Sequence, residues 1–465
     1  MSLEPGSFRD RDGRIAYRDG RVFRLISTEA LDSWHSLAER PWLMQAMDKG
    51  TLVQTSQVSL EEALGEAASG DVAWAGALEH QRIPFVSYPY EWSFSMLQDA
   101  ALVTLDLLDA ALNDNFSLKD GTPYNVQFRG AAPTFIDTGS LEPMPAGSAW
   151  VGYRQFCQLF LFPLLLQAHK NLDFQPLLRG SLEGISPETA NGLFSARDRF
   201  RAGVLTHVYL QAKLTRSMAG AQRNVGKELK SAGFSKELIR NNVRNLAKLI
   251  RNLSWAPGAS EWGDYTQQHN YDDHDQRVKA EFVDKVSSAV KPKLCWDLGA
   301  NTGQFSAVAA QHAEYLVAAD IDHLAVERHY RALKQSTATN ILPIVFNLAD
   351  PSPNWGWGLA ERKSLAQRGK PDLVLALALI HHMVITANIP VEEFVAWLAS
   401  LGGDLVIEFV SRDDEMVKRL LLNKKDQYSD YYLEPFEASL GRHFTIVERV
   451  SLGSGNRYLF HCTPR

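Results

Sequence analysis

The sequence predicts an α/β chain in which a doubly wound C-terminal sheet follows an α+β, helix-rich N-terminal part. Strand-like apolar runs alternate with helical patterns through residues 256–465, and this alternation is typical of a parallel sheet covered by helices. Amphipathic helical patterns dominate residues 1–255 instead. Since 465 residues exceed the size of one ordinary core, we expect two domains that meet near residue 255.

The composition is that of a globular chain in an aqueous compartment. The longest apolar runs, at 156–166 and 373–380, are too short to span a bilayer. The first twenty residues carry charge where a signal peptide needs an apolar stretch, and the three cysteines are scattered. We therefore expect a cytoplasmic protein without a membrane span, a disulfide framework or a zinc site.

A glycine turn lies near the start of the C-terminal part, in the segment CWDLGANTGQFS at residues 295–306. A buried strand leads into GANTG, and helical spacing follows from 304 to 313. Such a unit directs backbone N–H groups toward a ligand, and Gly299 and Gly303 would let that ligand approach closely. Asp297 adds a carboxylate at the end of the strand.

Polar residues end the first three of five further predicted strands. These strands span 314–322, 341–350, 371–383, 404–410 and 458–464. The first three end in Asp320, in Asp350, and in the pair His381 and His382. Asp320 follows Gly299 by 21 residues, which places an acid where it can bond the two hydroxyls of a ribose. We expect these side chains at the carboxyl edge of the sheet, where ligands bind.

Four segments in this order, DLGANTGQFS, AADID, NLAD and DLVLALALIHHM, resemble the motif set of class I S-adenosylmethionine-dependent methyltransferases. The resemblance covers about residues 260–465. It implies a Rossmann-like sheet, methyl transfer, and S-adenosylmethionine (SAM) as the cofactor. It also implies that Asp297, Gly299 and Gly303 surround the methionine part of SAM.

The same resemblance implies roles for the acids that follow the glycine turn. Asp320 would hold the ribose, and Asp350 would reach the adenine amino group. Asn301 stands where many relatives have a middle glycine, and asparagine tolerates the left-handed conformation better than most residues. The chain lacks the dehydrogenase spacing G-x-G-x-x-G, which argues against a nicotinamide dinucleotide.

Methyl transfer to a hydroxyl or an amine is helped by a base that removes the acceptor's proton. His381 and His382 are the first candidates, with a capping or packing role as the alternative for either of them. Glu408, in the strand predicted at 404–410, is the second candidate for the base. Tyr265 and Tyr271 lie just before the first strand, where they would either close over the cofactor or pack as ordinary aromatic residues.

The N-terminal part contains a different motif. An amphipathic helix at 93–115 precedes Asp120, Asn125 and Asp137, and two short strands joined by Gly130 lie between the last two. This order resembles the catalytic segment of protein kinases and of aminoglycoside or choline phosphotransferases. The resemblance implies a kinase-like fold in which Asp120 is the base, while Asn125 and Asp137 hold magnesium on the phosphates of ATP.

Several parts of the kinase pattern are missing. There is no glycine-rich loop of the kinase type, and the first lysine is Lys49, too late for the phosphate-pairing lysine. Arg24 is the candidate substitute, in a small-lobe hairpin predicted at 13–26. The segment 83–92 would be a strand and hinge between a small lobe, about 1–90, and a helical lobe, about 91–255. We therefore expect a domain that transfers no phosphate, with Mg-ATP binding as an alternative.

Charge is distributed unevenly along a chain of net charge −6. Residues 197–251 contain 13 Lys or Arg against 3 Asp or Glu, a local +10. The helix predicted at 235–253 has an apolar stripe and a second stripe of cations, formed by Arg240, Arg244, Lys248 and Arg251. This stripe is either a solvated face or a docking surface for an anionic partner, nucleic acid included, although the acidic net charge gives no whole-protein case for nucleic acid.

We expect a SAM-dependent methyltransferase that acts on an unidentified small-molecule or anionic acceptor. One alternative is an ATP-dependent phosphotransferase or a bifunctional kinase–methyltransferase. Another is a non-catalytic binding scaffold. The Pro, Gly and Trp residues of 253–265 indicate the linker between the two domains.

Overall fold

The structure, a computed structural model, describes residues 1–65, 74–145, 147–213, 236–256, 273–422, 424–425, 427–453 and 455–465. It divides into two compact units. Unit 1 comprises Met1–Phe128, Ala132–Pro257 and Gly356–Arg362. Unit 2 comprises Arg129–Ala131, Gly258–Trp355 and Lys363–Arg465. Each unit therefore includes one short segment whose neighbours in sequence belong to the other unit.

Unit 1 begins with a five-stranded antiparallel sheet of order β1-β2-β3-β5-β4, followed by two small two-stranded sheets, β6-β9 and β7-β8. The strands are β1 Ser2–Leu3, β2 Gly13–Arg18, β3 Arg21–Ile26, β4 Thr55–Val58, β5 Gly76–His80, β6 Phe116–Leu118, β7 Val126–Arg129, β8 Ala132–Phe135 and β9 Leu141–Pro143. The hairpin predicted at 13–26 is present as β2 and β3. The likeness of this unit to a kinase stays a prediction.

The long helix α4 of unit 1 is largely buried, and α2, α6 and α9 pack against it. The bounds of the helices are α1 Thr28–Ala38, α2 Pro41–Asp48, α3 Leu60–Leu64, α4 Phe94–Asn113, α5 Tyr153–Phe156, α6 Phe162–Lys170, α7 Gln175–Arg179, α8 Pro187–Leu193 and α9 Lys236–Arg251, with π-helical turns at Cys157–Leu161 and Val204–Tyr209. The buried side of α4 includes Leu97, Leu105 and Leu108. The side chain of Gln98 donates to the carbonyls of Ile250 and Leu253, which satisfies acceptors at the end of α9.

The segment predicted as a strand and hinge at 83–92 contains no strand, so this part of the prediction is wrong. Its backbone is irregular and ends in a 3₁₀ turn at Pro89–Glu91. Proline has no N–H to donate to a strand ladder, and this short segment contains Pro84 and Pro89. Buried aromatic residues, Trp92 among them, explain why the sequence nevertheless has the apolar character of a strand.

Part of the cationic stripe on α9 is paired within unit 1. Arg240 and Arg244 both donate to the carboxylate of Asp109 on α4, at 2.9 and 3.1 Å for the shortest contacts. Lys236 donates to the Asn115 side chain. The C-terminal part of the stripe, with Lys248 and Arg251, is exposed. Docking of an anionic partner on it stays a prediction.

Unit 2 contains a seven-stranded mixed sheet of order β12-β11-β10-β13-β14-β16-β15. The strands are β10 Leu294–Leu298, β11 Tyr315–Asp320, β12 Ile341–Val345, β13 Leu373–Ala376, β14 Asp404–Val410, β15 Phe444–Ser451 and β16 Arg457–Pro464. The first five are parallel, and β16 pairs antiparallel with both β14 and β15. The fully parallel sheet that the sequence predicted is therefore wrong at one edge.

Helices connect β10 to β11, β11 to β12, β13 to β14 and β14 to β15 and complete an α/β fold, whereas the connection from β12 to β13 has 3₁₀ turns instead. The helices of unit 2 are α10 Asp273–Val290, α11 Gln304–Ala309, α12 His323–Lys334, α13 Val391–Ser400, α14 Glu415–Leu421 and α15 Leu433–His443. The chain runs outward from β10 to β11 and β12, then returns to the other side of β10 as β13. This reversal creates a switch point, and the crevice outside the carboxyl ends of such strands is where ligands bind in open α/β sheets.

In the part of the chain that the structure describes, no helix is both long and apolar enough to cross a membrane. The predicted linker at 253–265 extends into residues 257–272, which lie outside the described residues, as do Tyr265 and Tyr271. The domain boundary near residue 255 and the lobe boundary near residue 90 stay predictions.

The pairing of Asp109 predicts a modest contribution to stability. Burial raises the pKa of Asp109, but hydrogen bonds from Arg240 and Arg244 lower it overall. Its favourable contribution is therefore present above the ordinary pKa of 3.8 and is lost as the pH falls through the lower pKa of the folded state. Asp109→Asn should reduce the free energy of unfolding at pH 7 by about 0.5–1 kcal/mol, because the pair is partly exposed.

Asp106, one turn earlier on the same helix, is the matched control. Asp106 is exposed, and partial burial raises its pKa although Arg251 opposes the rise, so its negative charge should not add to stability near neutral pH. Asp106→Asn should therefore leave stability unchanged or increase it. Urea unfolding of both variants at pH 7 and pH 4 compares the two effects, and a loss of stability in Asp106→Asn as large as that in Asp109→Asn would contradict the assignment.

Candidate functional site

The carboxyl ends of β10, β11 and β13 bring together most of the residues that the sequence singled out in unit 2. Asp297 lies within β10, and Asp320 is the last residue of the neighbouring β11. The histidine pair, His381 and His382, follows β13 on the other side of β10. The sequence predicted the ligand site at this carboxyl edge of the sheet, because the parallel strands end there together.

The glycine turn after β10 has the backbone that only a few residue types adopt easily. Gly299, Asn301 and Gly303 have φ angles of 79°, 50° and 83°, all in the left-handed region. A Cβ on Gly303 would lie 2.1 Å from the ring of His329, so this glycine is also required by space. Asn301 adopts the left-handed conformation, as expected for an asparagine that replaces a glycine.

The carboxylate of Asp320 holds this turn in place. One oxygen accepts the N–H of Asn301 at 2.7 Å, and the other accepts the N–H of Asp322 at 2.8 Å. Burial raises the pKa of Asp320, while the backbone hydrogen bonds oppose that rise. Each carboxylate oxygen can accept more than one hydrogen bond, so both retain capacity for a hydroxyl-bearing ligand.

Asp297 is buried beneath the same turn. Its carboxylate accepts a hydrogen bond of 2.5 Å from the hydroxyl of Ser306 on α11. Burial, together with the negative charge of Asp320, raises the pKa of Asp297 to about 7, although the Ser306 hydroxyl opposes the rise. The crevice therefore contains one carboxyl group that changes protonation near neutral pH.

The histidine pair begins just beyond a strained turn rather than at the end of a strand. β13 ends at Ala376, and Ala378 has a φ of 47°. His381 is fully buried, and among the described residues neither of its ring nitrogens has a hydrogen-bond partner. Burial and His382 lower the pKa of His381 well below its usual value, and burial lowers that of His382 to about 4. Both rings are therefore neutral at pH 7, and His382 is the less enclosed of the two.

Glu408 is held between two buried cations. Its carboxylate lies 2.7 Å from Nζ of Lys279 and 3.1 Å from a guanidinium nitrogen of Arg457. Its other oxygen accepts the N–H of Ala378, the residue with the strained backbone. Burial alone would raise the pKa of Glu408, but the two cations lower it overall. This is the environment of an ion-paired residue that stabilises the loop after β13, and the role of Glu408 as a base stays a prediction.

Sequence reasoning missed Lys279 and Arg457, although α10 contains a signal. The buried face of this helix runs through Lys279, Phe282, Val283 and Val286, so a lysine occupies a position that its apolar stripe would reserve for a hydrophobic residue. A charge in such a position predicts a buried partner. The partner itself, Glu408, could not be found from spacing.

Asp350 lies beyond the end of its strand, whereas Asp297 and Asp320 lie within theirs. The predicted strand at 341–350 ends at Val345, and Asp350 lies exposed in the turn that follows. Its N–H donates to the carbonyl of Asn347. The role of Asp350 toward adenine stays a prediction.

The motif of unit 1 also forms a cluster. Asn125 donates to the carboxylate of Asp137 at 3.3 Å, and Arg24 donates to the same carboxylate at 2.6 Å. Burial raises the pKa of Asp120, and the negative charge of Asp137 raises it further. Within the described residues, no group of three or more His, Cys, Asp or Glu side chains is arranged to hold a metal ion.

The raised pKa of Asp297 predicts a pH-dependent loss of stability. The unfolded carboxyl group releases its proton near pH 3.8 and the folded one near pH 7, so the free energy of unfolding falls as the pH rises between these values. The loss is at most about 4 kcal/mol, at ~1.4 kcal/mol for each pKa unit. Unfolding of Asp297→Asn at pH 5, 6 and 7 should lack this slope.

Ser306→Ala is the matched control for the pH experiment. Without the hydroxyl, the pKa of Asp297 should rise further, so the slope should extend to higher pH. A wild-type slope equal to that of Asp297→Asn would contradict the raised pKa.

The buried ion pairs of Glu408 predict a large mutational effect. Glu408→Ala should reduce the free energy of unfolding by about 3–5 kcal/mol, because Lys279 and Arg457 would remain buried without a counter-ion. Glu448→Ala is the control: it breaks an ion pair of similar length to Lys285 on the same helix, but this pair is partly exposed and should cost about 1 kcal/mol or less. Equal losses in denaturant unfolding would show that the Glu408 ion pairs are not important for stability.

Solved structures of methyltransferases resemble part of this chain. The N-methyltransferase NodS from Bradyrhizobium japonicum WM9 is 16% identical, with 42% of this chain and 99% of NodS covered and a TM-score of 0.31. The magnesium protoporphyrin IX methyltransferase ChlM from Synechocystis PCC 6803, solved with S-adenosylhomocysteine (SAH), is 18% identical, with coverages of 43% and 89% and a TM-score of 0.30.

A relative of nearly the same length resembles the whole chain. No family model matches the sequence. The nodulation protein NoeA of Rhizobium meliloti (strain 1021) is 35% identical over 457 residues, which cover 98% of this chain and 94% of NoeA. Identity at this level over both units shows common descent of the full chain. The chain therefore belongs to the family of the nodulation protein NoeA.

Proposed function

We propose that unit 2 is a SAM-dependent methyltransferase that acts on an acceptor still to be identified. One observation carries the proposal: at the switch point of an α/β sheet, a turn with three left-handed residues is bonded to an acid at the end of the adjacent strand. The turn is 299–303 and the acid is Asp320. The order of motifs in the sequence supports SAM, rather than a nicotinamide dinucleotide, as the ligand of this arrangement.

Different residues of the crevice would contact different parts of the cofactor. The left-handed turn at Gly299 and Gly303 would lie against the methionine part of SAM, and Asp320 would accept the ribose hydroxyls through the lone pairs that Asn301 and Asp322 leave free. Asp297 would lie on the methionine side, and Asp350 on the adenine side.

When bound, SAM supplies a methyl group that its sulfonium has already activated. The protein's contribution is then to hold the acceptor in line with that methyl group and to exclude water. This requirement fits a site built from backbone and buried acids, with few reactive side chains.

His382 is our candidate for the group that takes a proton from the acceptor. It is neutral at pH 7 and less enclosed than His381, whose ring is fully buried. We assign His381 and Glu408 to support of the loop that follows β13 rather than to proton transfer. A base with a pKa of about 4 is weak, so the acceptor's proton would have to leave readily as the methyl group is transferred.

Cofactor binding through Asp320 is testable without knowledge of the acceptor. Asp320→Asn should weaken SAM binding about tenfold or more in calorimetry, because the amide offers the ribose one acceptor oxygen instead of two; each tenfold loss corresponds to ~1.4 kcal/mol. NAD should not bind the wild-type protein.

Asp372→Asn provides a control at the opposite end of the sheet. Asp372 also accepts two backbone N–H groups, those of Lys293 and Leu294 at 2.8 and 3.0 Å, but it lies at the amino end of β13. The Asp372→Asn protein should bind SAM with the affinity of the wild type. Equal weakening in both variants would indicate loss of structure rather than of a ligand contact, and a wild-type protein that binds no SAM would favour the binding scaffold.

A further inference from the structure

The acidic cluster of unit 1 already contains a cation supplied by the chain. Arg24 projects from β3, and its side chain is 12% exposed. One guanidinium nitrogen donates to Oδ1 of Asp137 at 2.6 Å, and another lies 3.5 Å from Oδ2 of Asp10. Asn125 donates to the remaining oxygen of Asp137. Both oxygens of Asp137 therefore accept hydrogen bonds from protein donors.

The surroundings are shaped to receive this guanidinium. Gly139 lies in the 3₁₀ turn after Asp137, and a Cβ at this position would lie 2.2 Å from a terminal nitrogen of Arg24. A glycine is therefore required here so that the guanidinium can reach the carboxylate. His80, on the neighbouring β5, does not compete as a cation: burial and the charge of Arg24 lower its pKa to about 3.

The charges explain why a cation is needed at this point. The charges of Asp10 and Asp137 both act on Asp120, with Lys119 opposing them, and Arg24 pairs with Asp10 and Asp137. The Asp120 carboxyl has a pKa raised by burial first and by its acidic neighbours next. Without a cation, these carboxylates would repel one another, because a like charge nearby disfavours the ionised form.

We propose that Arg24 occupies the cation position of this cluster and closes it to divalent metal ions. Magnesium needs free carboxylate oxygens at about 2.0–2.1 Å and an octahedral shell completed by water. Here the guanidinium and an amide N–H₂ group, both donors, point at the carboxylate that would bind the metal. Asn125 and Asp137 therefore do not fit a magnesium site while Arg24 is present, and unit 1 holds its cluster together without Mg-ATP. This inference does not depend on methyl transfer by unit 2.

Replacement of Arg24 in the 465-residue chain tests the proposal. Arg24→Ala should lower the midpoint of thermal unfolding, and Mn²⁺ at millimolar concentration should raise it again by about 2 °C or more, because a ligand of the folded state alone stabilises that state. Arg24→Met preserves the stem of the side chain and serves if the alanine variant does not fold. Arg24→Lys keeps the charge and should show no response to Mn²⁺.

Two further variants identify the site of the response. Arg21→Ala removes an arginine from the opposite face of the same strand, where it pairs with Glu79 and Glu62, and should give no response to Mn²⁺. Addition of Asp137→Asn to Arg24→Ala should abolish the response. A shift of the wild-type protein by Mn²⁺ or by Mg-ATP, lost in Asp137→Asn, would overturn the proposal, as would a folded Arg24→Ala protein that Mn²⁺ does not stabilise.

Discussion

Backbone N–H groups at the ends of buried parallel strands need acceptors, and in unit 2 carboxylates supply them. Asp320 accepts two such groups from the turns that follow β10 and β11, and Glu408 accepts one from the turn that follows β13. Asp372 does the same at the opposite end of the sheet. A buried N–H without a partner is costly, so each of these acids fixes the conformation of a turn. The shape of the crevice follows from them.

The same arrangement explains the electrostatics of the candidate site. A buried carboxylate keeps its charge only where hydrogen bonds or cations favour the ionised form. Glu408 has two cations and a lowered pKa, whereas Asp297 has one hydroxyl and a pKa raised to about 7. Two acids within one α/β unit thus differ in protonation because of their partners. Residue type alone does not distinguish them.

The α/β architecture of unit 2 could be predicted because buried parallel strands have continuous apolar sequences. The same signal misplaced strand ends: apolar residues after Ala376 stay buried although the backbone turns at Ala378. It also missed β15, Phe444–Ser451, in which only the first residue is buried, so this edge strand has no apolar run. Burial is visible in a sequence, but chain direction and exposed edges are not.

The residues expected at the crevice follow from turn chemistry and from the ends of strands, both of which are local in sequence. Their partners are not local. Arg24 and Asp137 are separated by 113 positions, and Glu408 and Arg457 by 49. A charge stripe has the same limitation, since nothing in α9 shows that Asp109 pairs with Arg240. Side-chain pairing of this kind requires the fold.

Each unit includes a short segment whose sequence neighbours belong to the other unit, and this affects any attempt to divide the protein. Unit 1 includes Gly356–Arg362, where the buried carboxylate of Glu361 pairs with Arg9 at 2.6 Å and Arg362 stacks on Tyr124. Unit 2 includes Arg129–Ala131, where the N–H of Gly130 donates to the hydroxyl of Tyr315. A single cut near residue 257 would remove a native piece from each half, so the roles of the two units are better separated by point substitution than by truncation.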